Sequence, residues 1–150
     1  MWIKRDISPK IIELVSNRPA VLLTGARQTG KTSLLRHLFP KAEYVSFDWP
    51  ANADEAENNP REFLSRFAGP VILDEVQYVP SLFRHLKIWI DENRNENGKW
   101  ILTGSQKFHL MKEVSESLAG RIGILELDTL SGNEIRVNEL EIEPYLLKGG

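Results

Sequence analysis

Eight consecutive residues, Gly25-Ala26-Arg27-Gln28-Thr29-Gly30-Lys31-Thr32, set two glycines, a lysine and a hydroxyl at a spacing that suits a bound anion. The apolar run Ala20-Val21-Leu22-Leu23 precedes them, and Ser33-Leu34-Leu35-Arg36-His37-Leu38-Phe39 follows with helical periodicity. Strand, glycine-bounded loop and a helix opening on Lys-Thr form the context in which phosphate is held. Glycine at both ends lets successive backbone N–H groups turn inward, and the helix adds unpaired N–H donors and partial positive charge. Residues Gly25, Ala26, Arg27, Gln28, Thr29, Gly30, Lys31, Thr32 and Ser33 are thus expected to contact a nucleotide. Within them Lys31 would reach the β- and γ-phosphates and Thr32 would ligate Mg²⁺. The side chains of Arg27 and Gln28 are expected to be exposed, because such a loop binds through its backbone.

Such a site needs further parts. Asp74, directly after Val71-Ile72-Leu73, is placed to be the second protein anchor of Mg²⁺, through a metal-bound water. Its neighbour Glu75 can polarise a water for attack on the γ-phosphorus, a general-base role. This pairing favours hydrolysis over transfer to an acceptor hydroxyl, which needs no water-activating glutamate beside the metal aspartate. Thr103 and Ser105 end another apolar run and are expected to hold that water or the γ-phosphate, Thr103 ahead because it sits at the strand terminus; the alternative is a turn whose hydroxyls bond only their own backbone. Arg121 is either a guanidinium stabilising transition-state charge, in its own chain or a neighbour's, or an exposed ion-pair residue. Gln77 either orients Glu75 or is a surface turn residue. Asp48 is a weaker candidate for the outer part of the site, and Trp49 reads as a partly buried packing residue. His37, His85 and His109 have no spacing suited to a metal.

Elements that could position these residues follow in alternation. Ser8-Pro9 opens a helix that ends near Asn17-Arg18-Pro19, before the first strand. Glu43 to Asp48 alternates like a strand. Trp49 to Asn52 reads as a loop, Asp54 to Asn58 as a solvated helical turn, and Asn59-Pro60 as the start of a helix over Arg61 to Phe67. Val71-Ile72-Leu73 has the unbroken apolar character of a buried parallel strand. A long helix follows Val79-Pro80-Ser81, with Leu82, Phe83, Leu86, Trp89 and Ile90 at helical spacing. Lys99 to Thr103 reads as a fourth strand, Phe108 to Leu118 as a helix, and Ile122 to Leu127 as a fifth strand. Ser131-Gly132-Asn133-Glu134 has the spacing of a capping box at the head of a last helix. This is an α/β fold with a mainly parallel sheet, in which ligands bind beyond the carboxyl ends of the strands. Gly25, Asp74-Glu75 and Thr103-Gly104-Ser105 then share one sheet edge.

Composition sets the outer bounds. The chain has 150 residues, one domain's worth, with 41% apolar and 27% charged residues. A formal charge of −2 gives no footprint for nucleic acid or an anionic membrane. The absence of cysteine excludes disulfides and thiolate metal sites. No apolar run approaches the length of a membrane span, and Met1 to Asp6 has no secretory core, so a cytoplasmic protein is expected.

Gly25 to Thr32, Val71 to Gln77, Leu102-Thr103-Gly104-Ser105 and Ser117-Leu118-Ala119-Gly120-Arg121, taken in order, resemble the AAA+-like P-loop ATPases of prokaryotes. In that group an ATPase module precedes a C-terminal domain of poorly defined function. The resemblance covers about Ile3 to Glu134. It implies a three-layer P-loop fold with a five-stranded sheet of order 5-1-4-3-2, Walker A and Walker B motifs, and a sensor-1 region at Thr103 to Ser105. By the same analogy Arg121 is a finger or sensor arginine. Members continue beyond the fifth strand into a helical lid or further domain, whereas this chain stops at Gly150. The expectation is therefore a single P-loop domain over residues 1–150, the N-terminal module of a longer protein. ATP or ADP with Mg²⁺ are the implied ligands, and a homo-oligomer or a protein partner the implied association. The leading function is an Mg²⁺-dependent ATPase that drives conformational change in an attached or partner domain. A nucleotide-binding switch with negligible turnover and a nucleic-acid-stimulated motor are the alternatives.

Overall fold

The computed structural model describes residues 8–25, 30–93, 96–105, 107–129 and 135–141. Elements run α1 (Ser8–Asn17), β1 (Ala20–Thr24), α2 (Lys31–Leu38), β2 (Glu43–Ser46), α3 (Pro50–Asn58), α4 (Pro60–Ser65) and β3 (Val71–Asp74). After a single 3-10 turn at Val76–Tyr78 come α5 (Leu82–Glu92), β4 (Trp100–Gly104), α6 (Lys107–Leu118), β5 (Ile122–Thr129) and β6 (Ile135–Glu141). The strands form one sheet in the order β2-β3-β4-β1-β5-β6. The first five are parallel and stand in the expected order.

Every residue of β1, β3 and β4 is buried, because helices cover both faces. The pleat sends alternate side chains to opposite faces. Val21, Leu23, Ile72, Ile101 and Leu125 pack with Ile11 and Leu14 of α1 and Leu34 and Leu35 of α2. Ala20, Leu22, Val71, Leu73, Trp100, Leu102 and Ile124 pack on the other face with α4, α5 and α6. Full burial of one such aliphatic side chain stabilises by about 1.5–3 kcal/mol. The result is a three-layer sandwich.

Two elements differ from the sequence reading. Residues 50–58 form one continuous helix, α3, in place of a loop and a solvated turn. Pro50 occupies its first turn, where a missing N–H costs nothing, and the Asn52 amide donates to the Ser46 carbonyl at 2.9 Å. Only Ala56 of this helix is buried, so no apolar stripe marks it in the sequence. Trp49, ahead of it, is 69% exposed and does not pack in the core.

The second difference follows β5. Where a last helix is expected, residues 135–141 form β6, which pairs antiparallel with β5 from Thr129↔Ile135 to Gly123↔Glu141. Ser131 to Glu134 lie outside the described residues. Ile135 and Val137 are β-branched, which favours a strand over a helix. The sheet consequently has six strands rather than five.

Candidate nucleotide site

Register places the polar strand ends side by side. Leu23↔Thr103 and Thr24↔Gly104 align β1 with β4, Leu73↔Leu102 aligns β4 with β3, and Ser46↔Asp74 aligns β3 with β2. Gly25, Asp74-Glu75, Thr103–Ser105 and Asp48 therefore meet on the carboxyl edge of the sheet.

Ala26, Arg27, Gln28 and Thr29 lie outside the described residues. Their flanks are defined. Gly30 precedes α2 with φ 89° and ψ 17°, a left-handed conformation that glycine adopts without steric cost. Lys31 is buried, and its Nζ donates to the Gly25 carbonyl at 3.0 Å, folding across the span between the two glycines. Ser33 is exposed on α2, one position past Thr32.

The Thr32 hydroxyl donates to Asp74 Oδ1 at 2.8 Å. Thr103 donates its own hydroxyl to the same oxygen. Tyr44, on β2, donates its phenol to Asp74 Oδ2 at 2.7 Å, and the Arg36 guanidinium stacks 4.5 Å over its ring. Asp74, 5% exposed, is thereby held by three hydroxyls. Burial first, and then the bond to Asp74, push the Tyr44 phenol up to about 12, so it stays protonated and acts as a donor.

Glu75 adopts φ 62° and ψ 56°, the single left-handed non-glycine among the described residues. Such a backbone costs on the order of 1–3 kcal/mol and persists where its surroundings hold it. Here the Thr103 Oγ1 accepts the Glu75 N–H at 3.0 Å. Thr103 thus spends its one proton on Asp74 and a lone pair on Glu75. It links the two acids as a strut. The Glu75 carboxylate accepts from Gln77 Nε2 at 2.7 Å and from Ser105 Oγ at 3.0 Å.

Asp48, Asp74 and Glu75 each bring a carboxylate oxygen within 4.8 Å of the others. With the Thr32 hydroxyl they offer hard oxygen donors only, a set that fits Mg²⁺ and disfavours softer metals.

A family profile described as "AAA domain" matches residues 17–136, four-fifths of the chain. The chain belongs to the AAA domain family. It is 33% identical over 133 residues to Uncharacterized protein Rv2008c of Mycobacterium tuberculosis and, equally, to Uncharacterized protein Mb2031c of Mycobacterium bovis. The match covers 88% of this chain and 30% of each relative, so the chain spans about a third of their length. A solved structure, "Structure of C. elegans PCH-2", is similar at 20% identity and a TM-score of 0.44, over 80% of this chain and 37% of that one.

The AAA domain's remaining candidate, Arg121, stands elsewhere. It precedes β5, whose Ile122 is level with Ala20 at the amino end of β1. At about 3.3 Å per residue it is roughly 15 Å from the carboxyl edge of its own chain. Its guanidinium grips Asp91 of α5 through both carboxylate oxygens, at 2.7 and 3.0 Å, and donates to the Ala119 carbonyl at 2.9 Å. The structure does not bring it to Asp74 or Glu75 of its own chain.

Sequence reasoning passed over Tyr44, which read only as a strand residue. Its signal was indirect: with β2 beside β3, a residue two positions before the strand end shares a face with the end residue. Gln77 and Ser105 were named, and the structure joins both to Glu75.

Proposed function

We propose that this AAA domain binds ATP with Mg²⁺ and hydrolyses it to ADP and phosphate, its nucleotide state driving a conformational change in an attached or partner domain. The observation that carries the reading is the 2.8 Å bond from Thr32 to Asp74, with the Glu75 carboxylate held beside it. That bond ties the helix after the glycine-rich loop to the acidic strand end, as a shared metal–phosphate site requires. Residues 25–33 would cradle the phosphates, with Lys31 exchanging its bond to the Gly25 carbonyl for phosphate oxygens. Mg²⁺, held by Thr32 and Asp74, would supply charge neutralisation at the β- and γ-phosphate oxygens.

Glu75 would orient a water and take its proton. As the water oxygen bonds to the γ-phosphorus, the bond from phosphorus to the bridging oxygen breaks and its electron pair leaves on ADP. The proton then passes from Glu75 to the released phosphate or to solvent. Thr103 keeps Asp74 and Glu75 in fixed relation, so the metal anchor and the base move as one unit. Arg121 could act only on the nucleotide of a neighbouring chain.

Steady-state phosphate release tests the reading. Glu75→Gln should lower turnover by about 10²–10⁴-fold while ATP binding persists. Lys31→Ala should remove tight ATP binding. Wild-type release no faster than that of Glu75→Gln would leave a nucleotide-binding switch. Tight ATP binding by Lys31→Ala would overturn the site itself.

A further inference from the structure

Glu75, Gln77 and Ser105 form a closed ring of hydrogen bonds whose purpose the hydrolytic scheme does not account for. Gln77 Nε2 gives one proton to Glu75 Oε1 at 2.7 Å and the other to Ser105 Oγ at 3.0 Å. Ser105 Oγ passes its single proton to the same Glu75 oxygen at 3.0 Å, and the Ser105 N–H donates to Gln77 Oε1 at 3.3 Å. Each proton is used once in a consistent direction, Glu75 Oε1 accepts two of them, and both ends of the Gln77 amide are engaged, which fixes its orientation.

Two features show what this ring does. Both donors converge on Oε1, and among the described residues no hydrogen bond reaches Oε2. The carboxylate is therefore pinned by one oxygen, leaving the other to a water. The ring also depends on the glycine at the end of β4. A Cβ on Gly104 would lie 3.2 Å from Gln77 Oε1 and 2.1 Å from Leu110 Cδ2 of α6. A side chain there would make the Leu110 tip move and would crowd the Gln77 amide.

Gln77 is brought into place by Glu75 itself. The left-handed backbone of Glu75 starts the 3-10 turn Val76–Tyr78, which turns the side chain two residues on back toward its carboxylate. Gln77 also lines a cleft of about 210 Å³, walled by Phe83 of α5 and Leu110 of α6.

We propose that Gln77 is a positioning residue for hydrolysis: through the ring with Ser105 it aims Glu75 at the attacking water and ties that aim to the end of β4. This rests on the general-base reading of Glu75. A carboxylate free to rotate would present its free oxygen to the water only part of the time. Misplacement of a reacting group by about 1 Å can cost on the order of 100-fold in rate.

The test uses the full chain with Gln77→Leu, which keeps the wall of the cleft and removes the amide, and with Ser105→Ala, which cuts the ring from its other side. Thermal unfolding establishes that each variant is folded. For Gln77→Leu, kcat should fall by roughly 10- to 100-fold, with KM and the ATP Kd within about twofold of wild type. Ser105→Ala should fall less, because Gln77 still holds Oε1. In a Glu75→Gln background, Gln77→Leu should leave the residual rate unchanged, since nothing remains to be aimed. Wild-type kcat in a folded Gln77→Leu, with Glu75→Gln inactive, overturns the positioning role alone. So does a loss of ATP affinity as large as the loss of rate, which would assign Gln77 to binding. A wild type no faster than Glu75→Gln overturns the general-base reading first, so the two failures are distinct. If Gln77→Leu does not fold, an undiminished rate in Ser105→Ala overturns the ring.

Discussion

Tyr44 shows what one side chain adds to this site. Its phenol gives Asp74 a third donor on the oxygen that neither threonine reaches, and the Arg36 stack holds the ring at the correct height. The phenol is pushed up to about 12, above the ordinary value near 10, so the folded state favours its protonated form. Its contribution to stability is complete below about pH 10 and is lost as pH rises through about 12. In the metal-free protein, absorbance at the tyrosinate band should show a late-titrating phase that Tyr44→Phe removes. A titration unchanged by that substitution would mean the Asp74 contact does not persist in solution. Lys31, Thr32, Asp74, Glu75 and Thr103 stand out in the sequence as candidates because residue type and position, at a strand end or at the head of the helix after the glycine loop, both mark them. Tyr44 does not, because its phenol meets Asp74 only once β2 lies beside β3, and nothing near position 44 records that pairing.

Among the elements, those with an apolar period were legible and those without one were not. Helix α5 buries Leu82, Phe83, Leu86 and Ile90 along one stripe and begins and ends close to where the pattern predicts. Helix α3 buries Ala56 alone and takes its start from Pro50 and its anchorage from Asn52, signals that a period search ignores. At β6 a local signal misled: the capping-box spacing of Ser131 to Glu134 pointed to a helix, and residues 135–141 instead pair as a strand with β5. Arg121 also belongs at this scale, since it clamps the end of α5 to the start of β5. The pair is partly exposed, so its value is modest despite bidentate geometry. Arg121→Ala and Asp91→Ala should each cost about 1 kcal/mol in urea unfolding, and the double variant should cost little more than either. Additive losses would show that the two side chains do not act as a pair.

For the molecule as a whole, the sheet order is the one that the family resemblance implies, and the core follows from the unbroken apolar strands. Trp100 sits where these meet. It is 1% exposed and stacks edge-on with Phe67 at 6.2 Å and with Trp89 at 6.4 Å, linking α5 to the segment after α4. Trp100→Ala should cost about 3–5 kcal/mol, read as a lower unfolding midpoint, because that junction cannot collapse around the void. A loss under about 1 kcal/mol would mean that the helices close over the gap. No helix among the described residues is long and apolar enough to cross a membrane. The carboxyl edge has one more consequence. Every described hydrogen bond to the Asp74 and Glu75 carboxylates comes from a neutral group: Thr32, Tyr44, Thr103, Gln77 or Ser105. These donors orient the two acids without cancelling their charge, and Asp48 adds a third carboxylate within 4.8 Å. A cation arriving at this edge would therefore meet carboxylates already oriented by neutral partners, and little of its binding energy would be spent on ordering them.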